Sequence, residues 1–150
     1  MEINTLHKIK NIMEKIKVLV GWSNKNYSAV TNDYDRLSGL VVATGTTFEK
    51  LQNEFESALK FHIEGCIEDK EALPEWLMSG NYQLEYELTT SALLHRLDGI
   101  LTRSAIARVS GINERQLGHY ALGIRNPRPE KRKQIIDGIH QISRELETVV

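Results

Sequence analysis

The chain of 150 residues has little that would stiffen or cross-link it: one cysteine, three prolines, two tryptophans and three phenylalanines. A lone cysteine, Cys66, rules out an internal disulfide and suits a reducing compartment. No apolar run approaches the length of a membrane span and no signal-peptide pattern opens the chain, so the expected location is the cytoplasm. The sequence also lacks the constellations of catalysis. Its five histidines are scattered without metal-ligand spacing, no glycine loop is built to cradle a phosphate, and Cys66 has no evident base. No cofactor and no metal are expected, and the chain reads as no enzyme.

Net charge is nearly absent too, at −1, but the charges are segregated. Thr46 to Glu87 holds ten acidic residues against three basic, whereas Arg96 to Lys133 holds nine basic against three acidic. One acidic and one basic half imply two kinds of partner. The length allows one ordinary domain or two small ones.

The basic half contains the most informative stretch, LTRSAIARVSGINERQLGHYALGIRN, from Leu101 to Asn126. It reads as two short helices and a basic loop. Thr102 caps the first helix, Arg103 to Ser110, whose apolar face is Ile106, Ala107 and Val109. Gly111 stands where the chain must turn and positive φ is favoured. Asn113 caps the second helix, with Gln116 offering the reciprocal half of a capping box. Ala107, Gly111 and Leu117 have the spacing of a helix-turn-helix: a small residue for close approach, a corner, and a packing leucine. The free end of the second helix carries Asn113, Glu114, Arg115, Gly118 and His119. Arg115 is suited to guanine and His119 to a base edge or phosphate, and Gly118 lets the backbone approach DNA. Arg125, Asn126, Arg128, Lys131, Arg132 and Lys133 are suited to phosphates. The competing reading is a plain helical hairpin with a solvated basic rim.

Residues 1–14 form an extension, either a short amphipathic helix that packs on a neighbouring subunit or a poorly ordered lead-in to a true start at Met13. From Lys15 the period becomes two: Ile16, Val18, Val20 and Trp22 predict a strand with one buried face. Ser23 to Asn26 turns, Tyr27, Ala29 and Thr31 continue as a second strand, Asn32 to Gly39 is a polar loop, and Leu40 to Thr44 is a third strand. Thr46 and Glu49 predict a capping box opening a long helix. Its stripe is Phe48, Leu51, Phe55, Ala58, Leu59 and His62, and it ends near Gly65. His62 reads as a packing residue rather than a catalytic one. Tyr82 to Leu88 is the cleanest alternating strand, giving a β-β-β-α-β unit over residues 15–88. Thr89 to Leu97 opens an all-α unit over residues 89–150. Its last helix starts at Pro129 and carries the seam Ile135, Ile139, Ile142, Leu146 and Val149, which closes the unit's core, forms a dimer interface, or does both. The fold class is therefore α+β.

The segments IKVLVGWSNKNYSA and VVATGTTFEKLQNEFESALKFHIEG resemble the HicB antitoxins, and the tail from Leu101 resembles the Cro/CI-type helix-turn-helix that many of them carry. Together they span nearly all of the chain after Met13. The resemblance implies a partial RNase H-like N-terminal domain that binds and inactivates a small HicA toxin, an mRNA-cleaving ribonuclease. It also implies a C-terminal domain that represses the shared operon by binding double-stranded operator DNA, in a homodimer or dimer of dimers. Two-metal nuclease chemistry needs converging carboxylates. The opening strand KIKVLVGWS has none, Asp33 and Asp35 lie in a loop, and Glu49 is explained by capping. The candidate toxin-binding residues are Trp22, Tyr27, Asp33, Tyr34 and Asp35, with a core role the competing reading for the two aromatics. Two other functions stand beside the antitoxin: a stand-alone phage-type repressor whose N-terminal domain dimerises or senses a ligand, and a nucleic-acid-processing enzyme.

Overall fold

Ile16, Val18 and Val20 are wholly buried along the first strand, with exposed Lys15 and Lys17 between and beside them. That alternation starts an α+β protein, described for residues 13–150 in a computed structural model. The expected helix within residues 1–12 lies outside the described residues. Strands β1 (Glu14–Ser23), β2 (Asn26–Val30), β3 (Val42–Gly45) and β4 (Tyr82–Leu88) form a sheet in the order β3-β2-β1-β4. The β1–β2 turn puts Asn24 and Lys25 at φ of 51° and 65°, the left-handed pair that a tight hairpin needs. β2 and β3 are antiparallel, with Tyr27 opposite Gly45 and Val30 opposite Val42. Lys15 pairs with Glu85 and Lys17 with Glu87, at 3.3 and 3.1 Å. Both partners advance in the same direction, so β4 runs parallel to β1 and the sheet is mixed.

Two compact units divide the chain. The first comprises residues 13–20 with Asn26–Glu87, and the second Gly21–Lys25 with Leu88–Val150. The first holds thirteen acidic and six basic residues, the second eleven basic and six acidic.

In the first unit the long helix α2 (Phe48–Glu68) packs chiefly on β3 and β2. Leu51, Phe55, Leu59, Ile63 and Cys66 form its buried stripe. Edge-to-face contacts link Tyr27 to Phe48, Phe48 to Tyr86 and Phe55 to Tyr86 at 5.7–6.3 Å between ring centres. Several local expectations need correction. Thr47, not Thr46, caps α2, its hydroxyl accepting from the Lys50 nitrogen at 3.1 Å, so Glu49 has no capping-box role. Two adjacent threonines offer the same cap chemistry, and the register that turns Phe48 to Tyr27 and Tyr86 selects the second. The helix also runs past Gly65 to Glu68, because Ile63 and Cys66 remain buried on either side of the glycine. The expected polar loop contains a one-turn helix α1 (Tyr34–Leu37), anchored by buried Leu37. Arg36 ties it down, reaching Asp33, Glu14 and the Lys15 carbonyl and lying 5.1 Å from the Trp76 ring centre. Asp33 and Glu14 hold the Arg36 pKa above its ordinary value. The short helix α3 (Glu75–Met78) is anchored by buried Leu77.

The second unit is built from α4 (Thr90–Leu97), α5 (Arg103–Ser110), α6 (Glu114–Ala121) and α7 (Pro129–Glu147). Leu94, Ile106, Ile112, Leu117, Tyr120, Ala121 and Ile135 form its core. Where α7 crosses α5, Gly138 is buried so closely that an added Cβ would stand 2.9 Å from Val109 Cγ2 and 3.1 Å from the Ser110 nitrogen. The seam along α7 divides. Ile135 and Ile139 close the core, whereas Leu146 and Val149 are exposed.

Candidate nucleic-acid interface

The corner between α5 and α6 follows its sequence closely. Thr102 Oγ1 accepts from the Ala105 nitrogen at 3.0 Å, and Asn113 Oδ1 accepts from the Gln116 nitrogen at 2.8 Å. Gly111, at φ of 74°, ends α5 in the left-handed region, its N–H donating to the Ala107 carbonyl. One detail differs. The Gln116 side chain does not complete a capping box but donates to the Tyr120 hydroxyl at 2.8 Å, one turn along the same helix.

The rigidity of α6 comes from behind. Leu117, Tyr120 and Ala121 are buried, and the Ala121 carbonyl accepts from Ser91 Oγ at 2.7 Å and lies 3.0 Å from His95 Nε2. This contact puts a proton on Nε2 of His95, whose ring stacks on Trp22 with centres 4.2 Å apart. The outer side of α6 is thereby left to solvent. Glu114 and Arg115 are exposed, Gly118 and His119 half-buried, and Asn113 is exposed although its side-chain oxygen is engaged in capping. Arg125, Asn126, Arg128 and Lys131 are exposed along the following loop and first turn of α7. A projecting guanidinium, a helix end and a row of cations can read a base edge and neutralise phosphates.

Arg132 departs from this group. Its guanidinium donates to the Leu88 carbonyl at 2.6 Å and to Thr90 Oγ1 at 2.9 Å, fixing the first turn of α4, so its donors are used inside the unit. Lys133 is paired with Asp137 at 2.6 Å. Sequence reasoning passed over Arg103. Its Nη1 lies 3.7 Å from where a Cβ on Gly118 would stand, so it brings positive charge to the α6 surface. Its signal was a cation in the first turn of a helix, where the macrodipole disfavours one.

The residues expected to meet a protein partner are dispersed. Tyr27 is in the core of the first unit, because period two along β2 points it inward. Trp22 belongs to the second unit, stacked on His95. Asp33 is engaged by Arg36. Tyr34 and Asp35 alone of the five are exposed.

His62 behaves as the packing residue its position suggests. Its Nε2 is 2.6 Å from the Leu37 carbonyl and 3.6 Å from Cys66 Sγ. The Cys66 thiol is pushed up in pKa by burial and by Glu71 and Asp69, the reverse of what activates a thiolate. Among the described residues no three His, Cys, Asp or Glu side chains are grouped to hold a metal ion, and no helix is long and apolar enough to cross a membrane. Comparison with known proteins finds no matching family model, no matching curated protein and no matching solved structure.

Proposed function

We infer that this chain is a HicB-type antitoxin that also represses its own operon. The acidic unit, read as a partial RNase H-like domain, binds and neutralises a HicA-type mRNA ribonuclease. The basic unit, read as a Cro/CI-type helix-turn-helix, binds operator DNA. The observation that carries the reading is the α5–Gly111–α6 corner, with α6 held from behind and Arg115 free in front, in a chain whose other unit carries the opposite charge. A ribonuclease is basic where it holds RNA, and an acidic partner covers that surface by complementarity. The absence of carboxylates from the inner face of β1 favours a binding protein over a two-metal nuclease. Exposed Ile100, Leu146 and the groove between them supply an apolar surface for a homodimer, which places two α6 helices on one operator.

Co-expression with the small open reading frame adjacent to the gene tests this. Rescue of growth from a toxic neighbour, with a stable co-purified complex, is the expected result. A harmless neighbour that does not co-purify would replace the antitoxin by a stand-alone repressor.

A further inference from the structure

One groove in the acidic unit has features that its own fold does not require. It lies between β3 and the second half of α2, encloses about 410 Å³, and is walled by Leu40, Val42, Ala58 and Phe61. Three of these large apolar side chains face water: Phe61 is 78 % exposed, Val42 64 % and Leu40 58 %. Clustered exposure of this kind marks an interaction surface. β3 is also an edge strand of the sheet, where a backbone can receive a partner.

Two further observations define what fits. Gly65, in the lining, is a helical glycine, and an added Cβ there would meet nothing within 4 Å. Glycine inside a helix costs about 1 kcal/mol relative to alanine, and nothing among the unit's described residues explains keeping it. An approaching chain does. At the far end of the groove stand Asp69 and Glu71, just past a helix whose last turn contains no basic residue. Glu64 and Glu68 precede them on α2. The negative end of the helix dipole thus adds to a cluster of carboxylates, an arrangement that favours a cation.

We propose that this groove receives the cationic toxin, as a segment that seats apolar side chains against Leu40, Val42 and Phe61, passes close over Gly65, and directs a lysine or arginine to Asp69 and Glu71. The assignment rests on the antitoxin reading for the identity of its occupant. Charge selects it: a second copy meeting the groove through its own acidic unit would bring the same carboxylates against this end, and DNA would be repelled by them.

Three variants test it against the product of the adjacent open reading frame, with affinity and thermal stability both read. Phe61→Ser removes an exposed side chain, Gly65→Ala strengthens the helix, and Asp69→Lys reverses the charge beside Lys70 at the helix end. Each should keep or raise the melting temperature and weaken toxin binding at least tenfold, while Arg115→Ala leaves it unchanged. If the wild-type chain binds the toxin and the three variants bind as well as it does, the groove is wrong and the antitoxin reading stands. If the wild-type chain binds no such product, both fall. Sedimentation of the chain alone closes the remaining case: a smaller assembly for Phe61→Ser would assign the groove to a second copy and overturn the proposal.

Discussion

Gly45 in the acidic unit and Gly138 in the basic unit are held by packing. An added Cβ at Gly45 would stand 2.5 Å from the Leu51 nitrogen, and at Gly138 it would stand 2.9 Å from Val109 Cγ2. Gly65 and Gly118 are different: both lie inside helices, and the nearest atom to an added Cβ is absent within 4 Å at the first and a flexible Arg103 nitrogen at 3.7 Å at the second. Each unit therefore has a glycine that its core demands and a helical glycine that its core does not. The second kind marks the surfaces assigned here to partners, the groove in one unit and the outer side of α6 in the other. Charge divides the units the same way, so the proposed partners are a cation-bearing segment for one and a polyanion for the other.

Alanine at the packed glycines should break each unit, and Gly45→Ala should do most harm. The backbone of α2 cannot yield as a side chain end can, and overpacking of this kind costs about 3 kcal/mol. Gly138→Ala should cost about 2 kcal/mol, since Val109 Cγ2 can move but the Ser110 nitrogen cannot. Denaturant unfolding followed by tryptophan fluorescence measures both, because Trp76 lies in the first unit and Trp22 in the second.

A similar loss should appear in strong base. Burial, helped by Glu56, pushes the Tyr86 phenol from 10.0 up to about 12, and its buried hydroxyl has no hydrogen-bond partner among the described residues. Because the folded value is the higher one, the stability involved is complete below pH 10 and is lost as the pH rises towards 12. That contribution should disappear across the window, read as a falling unfolding free energy in denaturant titrations at rising pH. Tyr86→Phe should flatten this slope and be neutral or slightly stabilising at pH 7, where it removes an unsatisfied group.

Two arginines sharpen the comparison within the basic unit. Arg132→Ala should cost about 2 kcal/mol of stability by stranding the Leu88 carbonyl and the Thr90 hydroxyl. Arg115→Ala should change stability by less than about 0.5 kcal/mol and yet remove about 1–3 kcal/mol of base discrimination. Calorimetry and DNA titration separate the two effects. One change is a gain: Gly118→Ala should stabilise α6 by about 0.5–1 kcal/mol while weakening DNA binding.

Strong local signals made much of this legible in the sequence. β4 has the bounds its alternation gives, and Thr102, Gly111 and Asn113 cap and turn as their chemistry requires. These features depend on neighbours within a few residues. What was missed depends on distant ones. Leu37 is a single apolar residue in a polar run, so α1 has no period to announce it. Trp22 alternates correctly with Val20, but its neighbour in space is His95. Arg132 and Arg128 look alike in sequence, and the Leu88 carbonyl and Thr90 hydroxyl that separate them lie more than forty residues away. The groove was invisible because Phe61 lies off the apolar stripe of α2 and its walls come from separate elements.

The central claim is that the two units carry two separable partner surfaces. The most direct test is the affinity of folded Arg115→Ala for the toxin, measured beside its affinity for the DNA upstream of the gene. Toxin binding should stay within twofold of wild type while the preference for that DNA is lost. Equal loss of both from a variant with an unchanged melting temperature would contradict it.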